Sequence, residues 1–290
     1  MAELQQTAVK KPVRAFRLGL FSRLPVNTKI AIGLALVLIV ILLSLCAPWL
    51  TPYDPNANDL TNVLQKPSVK HWFGTDNFGR DIFTRTLYAG RIDLQIGIVA
   101  VVVPLIAGSV IGLFAGYFGG WFNILMMRLV DVMISFPFMV LIIAIISILG
   151  PGLMNMYIAI FLVGWTSYAR IVRGEVLVVK QQEYILAARS IGYGHGRIIF
   201  RHILPNVISP AIVFAMSDVV LCILTGASLS FLGLGVQPPA AEWGAMISEG
   251  RSYIINAWWI STLPGLAIIV TGLGFSLLGD GLAEKIENQS

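Results

Sequence analysis

Asp218 stands near the middle of a long apolar stretch, from about Asn206 to Leu232. A carboxyl group in such a setting is costly to keep and is by default a functional candidate. Two readings stand at this point. The group faces a polar pathway, where it meets a cationic part of a substrate or a residue of a partner chain, or it is hydrogen-bonded to a neighbouring helix. Other reactive types are sparse. Three histidines and no C-x-x-C give no metal constellation. His195 and His202 lie seven apart without a third ligand, so they read as surface residues. The two cysteines, Cys46 and Cys222, both sit inside apolar runs. A disulfide framework needs cysteines in the aqueous loops of an oxidising compartment, so two buried free thiols are expected. No G-x-x-x-x-G-K-[ST] occurs, nor any Gly-Lys dipeptide, so the backbone cradle for nucleotide phosphates is missing. With no nucleophile elbow and no H-E-x-x-H, no catalytic residue and no metal site is assigned.

Two polar segments also carry patterned residues. Gln181 to Asn206 reads Q-Q-E-Y-I-L-A-A-R-S-I-G-Y-G-H-G-R-I-I-F-R-H-I-L-P-N. Ile185, Ala188 and Ile191 recur at helical spacing, Gly192, Gly194 and Gly196 then break the helix, and Arg197–Leu204 forms a second amphipathic piece closed by Pro205. Ala187 and Ala188 are small enough to let another surface approach the backbone. The plain alternative is an interfacial amphipathic helix without a partner. The other segment, His71 to Leu94, reads H-W-F-G-T-D-N-F-G-R-D-I-F-T-R-T-L-Y-A-G-R-I-D-L. Its Arg80–Ala89 part places Ile82, Phe83, Leu87 and Tyr88 near one face and Arg80, Asp81 and Arg85 near the other, as an interfacial helix would, with Trp72 at headgroup level.

The elements that hold these segments follow from composition. Of 290 residues, 57% are apolar and 12% charged. A soluble domain carries about 25% charged residues, so a soluble enzyme is excluded, and a disordered chain is excluded because it would be polar. A polytopic membrane protein remains. Uncharged or nearly uncharged runs predict six spans, at about Ile30–Leu50, Leu94–Ala115, Trp121–Leu149, Met154–Ile171, Asn206–Leu232 and Asn256–Gly279. Gly119-Gly120 and Gly150-Pro151-Gly152 punctuate them. Ala47-Pro48-Trp49 is not an A-x-A-like cleavage exit, so the first run reads as an uncleaved anchor. Pro104, Pro137, Pro210 and Pro264 fall inside spans and are expected to kink helices, and Arg128 with Asp131 is expected to form an i, i+3 ion pair. Fourteen of the twenty Lys and Arg residues fall on the side that holds both termini and the Gln181–Asn206 loop. That side is then cytoplasmic, and the net charge of +5 reflects this bias rather than nucleic-acid binding.

With the side assigned, the A-A-x-x-x-G run at Ala187–Gly192 followed by Leu204-Pro205 resembles the EAA loop of ABC importer permeases. Aligned on Gly192, the family's acidic position falls on Leu186, and the nearest acid is Glu183, one turn earlier. The His71–Leu94 string resembles the H-x-F-G-T-D-x-x-G-R-D signature of the C-type subunit in the dipeptide/oligopeptide/nickel branch. Two further stretches agree: A-S-L-S-F-L-G-L-G-V-Q-P-P-A-A-E-W at Ala227–Trp243, and Asn256–Leu282 with its A-W-W and L-L-G-D-G-L.

The resemblance covers about Ile30 to Leu282 and implies an all-α polytopic membrane protein of six transmembrane helices with the type I ABC importer permease fold. It divides the chain into a cytoplasmic tail (1–29), a first helix plus external loop (30–93), a five-helix core with a coupling loop at 172–205 (94–282) and a second cytoplasmic tail (283–290). It implies a permease subunit in a bacterial inner membrane, importing peptides or a related small solute. Its implied partners are a homologous second permease, two ATPase subunits, an external substrate-binding protein and membrane lipid. ATP and magnesium belong to the ATPase subunits, and this chain holds no cofactor. Glu183, Ala187, Ala188, Arg189, Gly192, Leu204 and Pro205 are the residues it points to for docking the ATPase. Two rivals are an ion-coupled secondary transporter, which would usually show several midplane ionisable groups, and a membrane scaffold without transport, which would not need the glycine elbow.

Overall fold

The computed structural model describes residues 24–288, all of it helix, turn and loop apart from one isolated bridge between Thr75 and Asp81. The helices are α1 (Val26–Leu45), α2 (Ala47–Leu50), α3 (Ile82–Phe118), α4 (Gly120–Ile134), α5 (Phe138–Leu149), α6 (Leu153–Val179), α7 (Glu183–Ser190), α8 (His195–Arg197), α9 (Leu204–Phe231), α10 (Trp243–Gly250) and α11 (Trp259–Glu287). A π-helical segment, Ile198–Ile203, joins α8 to α9. Basic residues of the expected N-terminal tail, Lys10 to Arg23, and the terminus at Ser290 lie outside the described residues.

Among the described residues, four helical runs are long and apolar enough to cross a membrane: Val26–Leu45, Ile82–Phe118, His195–Phe231 and Trp259–Ile286. The pair α4 and α5 makes a fifth if its two halves are one span. α6, at 27 residues, is about 40 Å long but more polar. The expected third span is therefore not one helix. It breaks at Ser135–Pro137 and its halves diverge by 92°. Pro137 stands ahead of α5 rather than inside it, because the residue before a proline is driven out of the helical region. Pro104, Pro210 and Pro264 do lie inside helices.

Several expected boundaries fall inside helices. α3 starts at Ile82, not Leu94, so the 93/94 division cuts a continuous helix. α6 continues past Ile171 to Val179, which shortens the expected 172–205 loop. Residue 29 lies within α1, where buried Lys29 pairs with Glu284 of α11 at 2.6 Å. That contact brings the start of α1 and the end of α11 to the same end of the bundle.

Packing follows small residues. Gly108, Gly112 and Gly116 form one stripe on α3, and α6 lies directly against it. A Cβ on Gly112 would sit 2.5 Å from the Ala169 carbonyl oxygen. Where lipid supplies no hydrophobic drive between helices, such close approach is what holds them together. α1 does the same with Gly33 against Gly274 and Leu278 of α11, while Leu34, Leu38, Ile39 and Leu42 point outward. Cys222 is a buried free thiol as expected, but Cys46 is only half-buried because α1 ends beside it.

The segment before α3 folds down on the bundle. Asp81 caps α3 by accepting from the Thr84 amide at 2.8 Å and binds the His71 ring at 2.9 Å. Arg80 and Arg85 do not form the expected exposed polar face. Both are buried, and Arg80 bridges Asp76 and Glu249 at 2.6 Å each. The first turns of α3 are thus locked into an internal ion network rather than laid on a membrane surface.

Candidate functional site

The elbow lies where α3 and α6 end together. The Lys180 ammonium donates to the Gly116 carbonyl at 2.8 Å, and Arg173 donates to the side chain of Asn123. From this anchored point the chain turns into α7. Ile185 and Ala188, one turn apart, are buried against the protein's own core, while Glu183, Tyr184, Leu186, Ala187 and Arg189 are exposed. Glu183 in the first turn and Arg189 in the last oppose the partial charges of the helix ends.

Gly192 ends α7 with φ of 86°. The Tyr193 amide donates to the Ala188 carbonyl at 3.1 Å and the Gly192 amide to Arg189 at 2.9 Å. A side chain would strain this left-handed turn, which is why glycine closes it. A Cβ at Gly192 would meet no atom within 4 Å, so the residue serves the backbone conformation, not packing within this chain.

Three expectations for this loop need correction. Ile191 does not share the buried face of Ile185 and Ala188. It lies past the end of α7 and is 73% exposed. Ala188 faces inward, so the small outward surface is Ala187 alone. Pro205 does not close a separate helix: helical backbone runs unbroken from His195 to Phe231. A proline lacks its own amide donor and crowds the carbonyl four residues back. The wider π turns of Ile198–Ile203 stand just ahead of it, and the Asn206 side chain donates to the His202 carbonyl at 2.6 Å.

His195 is exposed as expected, and it also holds the elbow. Its Nδ1 and the Tyr117 hydroxyl are 2.8 Å apart. The Arg189 guanidinium lies 5.4 Å over the Tyr117 ring, so α7, the elbow and the end of α3 converge on one aromatic side chain. Arg197 stacks over Tyr193 at 4.4 Å, and Tyr193 lies parallel to His202. Leu186, Ile191 and Phe200 remain exposed beside this cluster. The result is a fixed projection whose outward face mixes apolar and charged groups.

Asp218 is elsewhere, fourteen residues into α9 and about 21 Å along it from Leu204. The buried Tyr168 of α6 donates its hydroxyl to Asp218 Oδ2 at 2.7 Å. Asp218 therefore has the neighbouring-helix partner of the second reading. Yet its side chain is only half-buried, and Oδ1 is not among the enclosed unpaired atoms. One oxygen is committed, and the other has no hydrogen-bond partner among the described residues. The elbow and Asp218 do not form a single site.

Arg128 and Asp131 do not pair as expected. Asp131 binds Arg170 of α6 at 2.9 Å, with both side chains about half exposed. Sequence reasoning also passed over Glu242, whose carboxylate accepts from the amides of Gly244 and Ala245 at 3.0 and 2.7 Å and caps α10. Glutamate is not among the residues that usually cap a helix, so no clear signal marked it.

Comparison with known proteins adds the following. Residues 108–289 match the family described as binding-protein-dependent transport system inner membrane component. Residues 23–67 match the N-terminal TM domain of oligopeptide transport permease C. A dipeptide transport system permease protein of Alkalihalophilus pseudofirmus is 44% identical over 285 residues, 98% of this chain and 92% of the relative. A probable D,D-dipeptide transport system permease protein of Escherichia coli K12 is 42% identical over 252 residues, 87% of this chain and 85% of the relative. A glutathione transport system permease protein of Pectobacterium atrosepticum is 44% identical over 262 residues, 90% of this chain and 87% of the relative.

Proposed function

Because the chain belongs to the family of binding-protein-dependent transport system inner membrane components, we propose that it works by carrying the stroke of separate ATPase subunits through the α7 elbow to a shared membrane pathway. It is a multi-pass permease subunit of an ATP-driven ABC importer, and that membership replaces the ion-coupled and scaffold readings.

The substrate we infer is a short peptide or a peptide-like solute. Support comes from the names of the relatives, which span dipeptide, D,D-dipeptide and glutathione transport. A second, homologous permease forms the other half of the pathway, and two ATPase subunits and an external binding protein complete the importer. ATP and magnesium act on the ATPase subunits. In this reading the chain spans the membrane six times with both termini and α7 in the cytoplasm. The pairing of Lys29 with Glu284 supports an even count, and α6 counts as a span whose polar final turns emerge from lipid.

In mechanism, the binding protein delivers solute at the face that carries α10. Closure of the ATPase dimer pushes on α7. The push passes through the Tyr117–His195 contact to α3 and through the continuous His195–Phe231 helix to the level of Asp218, and the helices rock to switch access. The observation that carries this reading is the exposed outer face of α7, Glu183 to Arg189, held on a buried inner face and a left-handed Gly192. Ala187→Glu tests it. The residue is exposed, so the fold and membrane insertion should persist, while a charge buried without a partner in the docked contact costs several kcal/mol. The ATPase should no longer copurify, or its hydrolysis should lose its response to substrate. Full coupled transport by this variant would remove α7 as the docking element.

A further inference from the structure

Asp93 of α3 and Glu242 at the start of α10 are both 0% exposed. No Lys, Arg or His among the described residues lies within ion-pair distance of either. The Trp243 amide donates to Asp93 Oδ2 at 3.1 Å, which brings the residue beside Glu242 onto the Asp93 carboxyl. That bond sets the two carboxyl groups beside one another, close enough for each to perturb the other. Glu242 already accepts two amides of α10, and Asp93 Oδ1 has no donor at all. Two ionised carboxylates cannot share a dry site, because neither desolvation nor mutual repulsion is offset there. One proton removes both difficulties: it cancels a charge, and it supplies the donor that Asp93 Oδ1 lacks.

We infer that Asp93 and Glu242 form a buried proton-binding site, in which one shared proton fastens α10 to α3. Burial also pushes the Glu242 carboxyl above the ordinary glutamate range, in the same direction. The surroundings supply no cation to offset either charge. From α6, Tyr157 faces Asp93 with a buried, unpartnered hydroxyl. From α9, Ser230 faces Glu242. On α3 itself, Arg91 is turned away, its guanidinium bound to the Ser44 and Leu45 carbonyls at 2.8 and 2.9 Å. Glu249, at the far end of α10, is engaged by Arg80 and Arg85.

The sign of the pH effect follows. Above the ordinary carboxyl range the folded protein holds a proton that the unfolded chain has released. Stability from this contact is therefore largest in acid and falls as pH rises, up to tenfold in the folding equilibrium per pH unit, until the pair itself ionises. The test uses the assembled importer, purified and reconstituted. Its thermal midpoint and its uptake should decline as pH rises above the ordinary carboxyl range. Asp93→Asn places an amide donor where the proton was, and should assemble and flatten both profiles. Identical slopes for wild type and Asp93→Asn would overturn the proposal. If Asp93→Asn does not assemble, Glu242→Gln makes the same comparison with the donor on the other partner. Infrared spectra of the wild-type importer need no variant: the absence of a protonated-carboxyl carbonyl stretch at neutral pH would also overturn it. None of these measurements depends on where the ATPase docks.

Discussion

Arg80 donates from Nη2 to Glu249 Oε2 over 2.6 Å, although 169 residues separate them in the chain. The contact pins the segment before α3 to the far end of α10. Arg80 and Arg85 are both buried, and among the described residues Glu249 and Asp76 are the carboxylates that neutralise them. Removing one partner of a buried pair is strongly destabilising because the other charge is left uncompensated. Glu249→Ala should lower the stability of the purified complex by about 3 kcal/mol. It should also expose residues 51–81 to added protease. Glu249→Gln, which keeps an acceptor, should lose less. An unchanged thermal midpoint in Glu249→Ala would show that Asp76 suffices for both arginines.

Orientation is testable with single cysteines. Val69 is 95% exposed in the segment between α2 and α3, and Asn288 is exposed just past α11. In a background of Cys46→Ser and Cys222→Ala, an impermeant thiol reagent added to intact spheroplasts should label Val69→Cys and spare Asn288→Cys. The reverse pattern would put α7 outside, beyond reach of any cytoplasmic ATPase.

What the sequence made legible was mostly what lipid dictates. Apolar runs located α1, α3, α9 and α11 because their outer faces must be apolar all along the span. Helix ends were harder. Polar residues such as Arg80, Asp81 and Arg85 look like loop or membrane surface until Asp76 and Glu249 are known to surround them, and Glu249 is remote in sequence. The same blindness gave Asp131 the wrong partner, since Arg170 on α6 cannot be read from an i, i+3 rule. The elbow was legible in its glycine and its small residues, whose demands are local. Which of Ala187 and Ala188 faces outward was not, because that depends on what Ile185 packs against. Nor could the sequence show that Asp93, two residues from Arg91, is buried against Trp243 instead of paired with that base.

Asp218 should matter for cationic substrates. Tyr168 occupies Oδ2, and Oδ1 has no hydrogen-bond partner among the described residues. A hydrogen bond to a charged group contributes about 1.5–3 kcal/mol. Asp218→Asn should therefore slow uptake of substrates carrying a free ammonium by about tenfold or more. Uncharged analogues should be affected far less, because the amide can still accept from Tyr168. Tyr168→Phe should slow the cationic class alone, and by less than Asp218→Asn, since it loosens the carboxylate's orientation without altering its charge. Equal uptake of cationic and uncharged substrates by wild type and Asp218→Asn would remove the residue from the pathway.

The Tyr117–His195 contact separates holding the elbow from docking on it. The Tyr117 hydroxyl meets His195 Nδ1 at 2.8 Å, and the same ring lies under Arg189. Tyr117→Phe deletes the hydroxyl and keeps the ring. A neutral hydrogen bond of this kind contributes about 1 kcal/mol, too little to unfold the bundle or expel the ATPase. It is enough to loosen a projection that must transmit a push to α3. The variant should bind ATPase normally and hydrolyse ATP, yet move fewer substrate molecules per ATP in reconstituted vesicles. His195→Ala should show the same phenotype, and the double variant should be no worse than either single, because both remove one bond. Ala187→Glu differs in kind, since it blocks the contact itself and should cost ATPase binding. If Tyr117→Phe and His195→Ala transport with the wild-type ratio of solute to ATP, the push does not pass through this contact, and the continuous His195–Phe231 helix must carry it alone.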